Sequence, residues 1–306
     1  MKTQSQWLFE AALPSITASY ETHYSTLEYE TDRLFEAPKP PLPTPTLLLK
    51  PETVPTGLTL YVKFPLGYEK PAKPMTGIFI PPDYKATSKV DLILYLHGLN
   101  QKSINDIWNA KSSPHFALRE ALTASNKNVI LVGPTLGPHP NKGERKFYTP
   151  GGFDAYLNYV MASLSTYGSH QKMGQRPTVG NIILACHSAG GNPMRKLALL
   201  NAMNTAKIRE CWGFDCTYDG VDAQLWAQWA KSNPSKKLYI YHGNINCSPP
   251  RPPHCSTRVQ AVKLCQLAVK QNLRNVQVAI TKKSHNYVPI TYFKERINAA
   301  SFLIDR

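Results

Sequence analysis

The sequence predicts an α/β domain, a mostly parallel eight-stranded sheet with helices on both faces, preceded by an extended N-terminal tail. Three observations predict it. From residue 57 onward, short apolar runs alternate with longer amphipathic stretches. The runs have strand length and are mostly apolar, as strands covered on both faces tend to be. The first two follow one another with no helical pattern between them, as a leading hairpin would.

The expected strands are LTLYVKF (58–64), TGIFI (76–80), DLILYLH (91–97), NVILVG (128–133), NIILACH (181–187), CWGFD (211–215), KLYIYHG (237–243) and VQVAIT (276–281). The expected helices are HFALREALTAS, FDAYLNYVMASLSTYG, NPMRKLALLNAMN, VDAQLWAQWAKS, STRVQAVKLCQLAVKQN and PITYFKERINAASFL, each with apolar residues at three- and four-residue spacing. The stretch APKPPLPTPTLLLKPETVP is proline-dense and reads as an extended linker without a core of its own. The domain organisation is therefore a tail and linker over 1–56 and a folded domain over 57–306.

Composition sets limits on partners. Hydrophobic content of 42% and charged content of 18% suit a chain with a real core. The net charge of +15 favours anionic partners. Residues 1–37 hold six acidic and only two basic side chains, so the rest of the chain carries all of the excess. Its basic residues are scattered and follow no nucleic-acid-binding motif, so nucleic acid is not the expected partner. No apolar stretch is long enough to span a membrane, and no Sec-type signal precedes the domain, so the chain is read as cytoplasmic or as leaving by another route. Cys247 and Cys255 bracket a proline-rich loop and would pair only in an oxidising compartment. With His254 they match no zinc spacing, so no metal and no cofactor is expected.

Three segments carry chemistry. In Ile182–Gly191 an apolar strand meets a serine flanked by small residues and then a helix. A serine at such a turn sits at a helix N-terminus, where partial positive charge and free N–H groups favour an oxyanion. Leu94-Tyr95-Leu96-His97-Gly98-Leu99-Asn100 ends the third expected strand in a glycine turn. Ser284-His285-Asn286 follows the last strand and opens the last helix. A fourth segment, Gly213-Phe214-Asp215 through Asp219, ends the sixth expected strand with two carboxylates.

Together these segments resemble the α/β-hydrolase superfamily of serine esterases and lipases, over roughly residues 57–306. The resemblance implies Ser188 as nucleophile at a strand–turn–helix elbow and His285 as general base. It implies Asp215 as the acid, with Asp219 second, because no carboxylate follows the seventh expected strand, where many relatives place it. The backbone N–H groups of Leu99 and Ala189 are implied as the oxyanion hole. His97, Gly98, Asn100 and His187 are expected around the substrate, with His97 also tying its loop down by hydrogen bonds. Cys186 stands where the family usually has glycine.

The implied activity is cleavage of carboxylic esters through an acyl-enzyme. The substrate class is a small-molecule, lipid or polysaccharide ester. An amidase, peptidase or acyltransferase with the same triad stays open, as does a binding protein on a decayed hydrolase fold. Lys142, Arg145, Lys146, Arg251, Lys282 and Lys283 fall in loops where the site would open. They suit either an anionic substrate or a generally basic surface. In the tail, Leu8-Phe9-Glu10-Ala11 returns as Leu34-Phe35-Glu36-Ala37. That echo resembles leader segments of contractile-injection-system cargo and would imply a delivered effector. A tail that keeps a basic domain soluble is the other reading.

Overall fold

The computed structural model describes residues 44–54, 57–63, 75–99, 104–108, 116–140, 146–243 and 252–306. The acidic segment with the Leu8 and Leu34 echo lies outside the described residues. So do Asn100, Lys142, Arg145, Cys247 and Arg251.

The apolar runs form strands as their composition demands. In chain order these are β1 (Glu52–Val54), β2 (Gly57–Lys63), β3 (Met75–Ile80), β4 (Lys89–Leu96), β5 (Ile130–Pro134), β6 (Thr178–His187), β7 (Ile208–Phe214), β8 (Lys237–His242) and β9 (Val276–Ile280). The helices are α1 (Ile104–Trp108), α2 (Leu118–Thr123), α3 (Pro150–Tyr167), α4 (Gly191–Ala198), α5 (Asp222–Ser232), α6 (Pro252–Lys270) and α7 (Tyr287–Ala299). All nine strands join one sheet in the order β1-β2-β3-β5-β4-β6-β7-β8-β9. The strands from β1 to β3 and the β3–β5 pair run antiparallel, and every pair from β5 to β9 is parallel. This is the expected α/β-hydrolase fold with one more strand than expected.

The extra strand, β1, lies in the stretch read as linker. It pairs with β2 at the sheet edge, and Leu47 forms a further bridge to Val62. Three residues between Pro51 and Pro55 give no strand pattern, and an edge position is where prolines are tolerated. The pairing of the sheet thus reaches back before residue 57.

The sheet buries both faces. Along β4, Leu92, Leu94 and Leu96 face one core with residues of α3, α4, α5 and α6, among them Tyr156, Met194, Trp226 and Leu264. Ile93 and Tyr95 face the other, with Trp108 of α1, Leu122 of α2 and Phe293 of α7. The two-residue period of a strand makes this division unavoidable.

Helix α1 has no counterpart among the expected helices, since five residues cannot display a period. Packing holds it. Gly77 and Gly133 face each other across β3 and β5. A Cβ on Gly77 would lie 2.5 Å from the Trp108 ring, and one on Gly133 would lie 2.5 Å from Ile104 Cδ1. The glycine pair is the seat of α1. Gly77→Ala is expected to destabilise the fold by about 1–3 kcal/mol by overpacking, because buried Trp108 has nowhere to retreat. A denaturant midpoint lowered at unchanged slope would show it, and an unchanged midpoint would exclude this packing account.

Helix α4 stops at Ala198, short of the expected end near residue 204. The Asp154 carboxylate accepts from the Met203 and Asn204 backbone N–H groups at 3.1 and 3.0 Å and from Asn204 Nδ2 at 2.8 Å, turning that stretch into a separate 3₁₀ turn. In contrast, α6 starts at Pro252, before the expected residue 256, because proline fits the first turn of a helix.

From β4 the chain moves outward to β5, whereas from β6 it moves the opposite way to β7. The carboxyl ends of β4 and β6 therefore flank a topological switch point, where connections diverge and leave a crevice.

Candidate functional site

Strand β6 runs directly into Ser188 at that switch point. Ser188 has φ +54°, in the left-handed region, and a 3₁₀ turn over Ser188–Gly190 leads into α4. The turn is wedged between neighbours. A Cβ on Gly190 would overlap Leu96 O at the end of β4, and one on Gly191 would overlap Cys216 O beyond β7. Both positions need glycine for close approach. Cys186 is fully buried. The neighbouring Cys186 thiol and burial push the Cys216 thiol far up. Cys186, Cys211 and Cys216 are free thiols packed in the core, so cysteine two residues before Ser188 is absorbed there.

The end of β4 comes to the same place. The Leu136 N–H donates to His97 Nε2 at 2.7 Å, which leaves the proton on Nδ1 to be donated to Gly98 O at 2.8 Å. His97 is buried and ties the loop down, as expected. Both of its ring nitrogens have protein partners. A Cβ on Gly98 would lie 3.0 Å from Ser188 Cβ, so the Gly98–Leu99 segment abuts Ser188. Ala189 is buried and Leu99 is exposed.

Asp215 ends β7 with φ +49° and is buried. Its backbone N–H donates to Tyr241 O at 2.7 Å on β8. Its Oδ2 accepts from His285 Nδ1 at 2.7 Å and its Oδ1 from His242 Nδ1 at 3.0 Å. Burial alone would raise the carboxyl pKa. The hydrogen bonds from His242 and His285, with the charge of those rings, outweigh it and hold Asp215 well below the usual carboxylate range. With Nδ1 of His285 donating to a carboxylate, Nε2 is left with the lone pair. Asp219, the second choice for the acid, is elsewhere. It accepts from Arg195 at 2.8 Å, and Arg195 also pairs with Asp222.

His187 sits behind His285. The ring centroids are 4.4 Å apart at 39°, and His187 Nε2–H donates to His285 O at 3.1 Å. Phe116 packs on His187 at 5.1 Å. Burial, and then the charge of His285, push the His187 pKa down to about 3, so its ring is neutral. It is buried and braces the His285 backbone.

Sequence reasoning missed two residues. His242 ends β8, the strand after which no carboxylate follows. Tyr218 carried no signal beyond its place in the loop after Asp215, and its ring meets His285 edge-on at 6.4 Å.

Of the basic residues expected around the site, Lys146, Lys282 and Lys283 are described, and all three are exposed. The backbone of His254 lies in α6, away from any described cluster of metal-ligating side chains. Among the described residues no helix is long and apolar enough to cross a membrane.

No protein-family model and no curated protein matches the chain. Solved structures do. A serine-to-alanine mutant of the feruloyl esterase module from Clostridium thermocellum, complexed with sinapinate, is similar over 86% of this chain and 97% of its own, with a TM-score of 0.54 and 11% identity. A protein named FAE is similar over 81% of this chain and 89% of its own, with a TM-score of 0.51 and 13% identity. Likeness at this identity is likeness of fold.

Proposed function

We propose that the chain is a serine hydrolase that cleaves carboxylic esters, with Ser188, His285 and Asp215 as its triad. The observation that carries this reading is the Asp215–His285 hydrogen bond, 2.7 Å long, beside a serine in a left-handed elbow. Asp215 fixes the His285 tautomer, so Nε2 accepts the Ser188 proton as Oγ attacks the acyl carbon. The N–H groups of Ala189 and Leu99 receive the developing oxyanion. His285 then protonates the leaving alcohol, and water releases the acyl group by the same route in reverse. In this scheme the triad supplies all the proton transfers.

The neighbouring feruloyl esterase module with its sinapinate supports a small-molecule ester as substrate. Exposed Lys282 and Lys283, next to His285 in the chain, support an anionic one. The decayed-fold reading rested on Cys186 and on the missing carboxylate after β8. The core takes up the first, and His242 stands in place of the second, bound to the acid from β7.

A fluorophosphonate probe is expected to label Ser188, and the protein to hydrolyse p-nitrophenyl esters. Folded protein that does neither would overturn the reading. Raising salt from low ionic strength is expected to raise KM for a carboxylate-bearing ester and to leave a neutral one unchanged. Equal responses would remove the anionic preference alone.

A further inference from the structure

Asp215 is held to β8 twice. Its backbone N–H donates to Tyr241 O at 2.7 Å, and its Oδ1 accepts from Nδ1 of the next residue on that strand, His242, at 3.0 Å. Its Oδ2 accepts from His285 Nδ1 at 2.7 Å. Each carboxylate oxygen thus has an imidazole donor. A carboxylate only accepts, so Nδ1 of His242 carries a proton. The side chain of Asp215 is fully buried and that of His242 is 1% exposed, so bulk solvent does not stand in for this donor.

The end of β8 also joins the acid to the loop that carries the base. His242 pairs with Ile280 on β9, and its carbonyl accepts from the Thr281 N–H at 2.8 Å, on the way to His285. Gly243 comes next. A Cβ there would lie 2.9 Å from Asp215 Oδ2 and 3.1 Å from Lys283 O, so the chain runs close against both acid and loop. The torsion that turns a carboxylate is broad and roughly two-fold, so Asp215 does not fix its own plane. A donor on Oδ2 alone leaves the group free to swing. A second donor on Oδ1, from a strand end paired on both sides, fixes it. Burial opposes the charge on Asp215, and the donations from His242 and His285 counter it.

We propose that His242 is a positioning residue for ester cleavage, whose Nδ1–H holds Oδ1 of Asp215 and so keeps Oδ2 aimed at His285 Nδ1. The proposal rests on Ser188, His285 and Asp215 being the triad. His242 acts through Asp215 alone, touching no reacting atom and transferring no proton. When Ser188 Oγ attacks, His285 takes its proton at Nε2 and becomes an imidazolium. A carboxylate held from both sides meets that charge without reorienting. Misplacing a group of this kind by about 1 Å can cost about 10²-fold in rate.

Two substitutions of equal shape test this. Asparagine places its Nδ2 near where His242 Nδ1 lies, whereas leucine has the same outline and no donor. Hydrolysis of p-nitrophenyl acetate is measured, and a fluorophosphonate label is read twice. Its final stoichiometry counts folded sites, and its rate reads the triad. His242→Leu is expected to lower kcat per labelled site by about 10²-fold at unchanged KM, and the labelling rate by a similar factor. His242→Asn is expected to regain about tenfold of that loss, since it restores a hydrogen bond to a charged group. Equal kcat in the two variants, or a raised KM in place of a lowered kcat, would overturn the proposal and leave His242 as a filler of the core. If His242→Leu does not fold, His242→Gln replaces it, because its amide reaches the place of Nε2 and misses Oδ1. Equal kcat in the glutamine and asparagine variants would then overturn the proposal in the same way. Parent protein that neither turns over nor takes the label would instead overturn the triad, and this proposal with it.

Discussion

Ser188→Ala is expected to lower kcat for p-nitrophenyl esters by about 10⁶-fold, the loss seen when the nucleophile of a cooperating triad is removed. The loss is this large because His285 and Asp215 have no task without it. A base with no hydroxyl to deprotonate leaves only the oxyanion donors and substrate binding to act on water. Melting is expected to change little. The left-handed backbone of Ser188 is set by the crowding of Gly190 and Gly191 against Leu96 and Cys216 rather than by its own side chain. Circular dichroism and a thermal melt should therefore superimpose on the parent while turnover and fluorophosphonate labelling vanish. Equal trace activity in both proteins would show that ester chemistry does not occur at Ser188.

Much of this fold was legible because a sheet buried on both faces is written in mostly apolar runs. β3 and β5 are buried at every position, and their sequences contain no charged residue to dilute the signal. What could not be read was set by contacts distant in sequence. Five residues become α1 because two glycines on different strands leave room for Trp108 and Ile104. The tail of α4 is broken by Asp154, about fifty residues earlier in the chain. Three residues between prolines become β1 because β2 offers an open edge.

The site divides in the same way. The proposed roles of Ser188 and His285 are legible because each residue follows a strand end, in the order that the proposed chemistry requires. Asp215 is legible from the glycine and apolar residue before it. His242 and Tyr218 are not, since nothing local tells a histidine on a strand end from one 3.0 Å from a carboxylate, or marks one tyrosine among 16 as the one whose ring meets His285. His187 shows what position alone leaves out: next to Ser188 in the chain, it is buried and bonded to the His285 carbonyl.

Asp215→Asn is expected to lower kcat by about 10⁴-fold with the geometry nearly intact. An asparagine side chain has one accepting oxygen where the carboxylate has two, so it cannot accept from both His242 and His285. Facing its NH₂ toward His285 would force the proton onto Nε2, the nitrogen that must take the Ser188 proton. Loss of the charge also removes what stabilises the imidazolium formed in the attack. The same carboxylate bears on stability. Its pKa is lower in the folded protein than in the unfolded chain, so its contribution is full above the unfolded value of about 3.9 and is lost as pH falls below that. The variant is expected to lack this part of the acid dependence. Asp219→Asn is the control. It removes one partner of Arg195, which keeps Asp222, and it should leave kcat within about twofold because Asp219 does not touch His285. A large loss of kcat in Asp219→Asn with a mild one in Asp215→Asn would move the acid from the end of β7 to the loop beyond it, and would remove the geometric basis for His285 as the base.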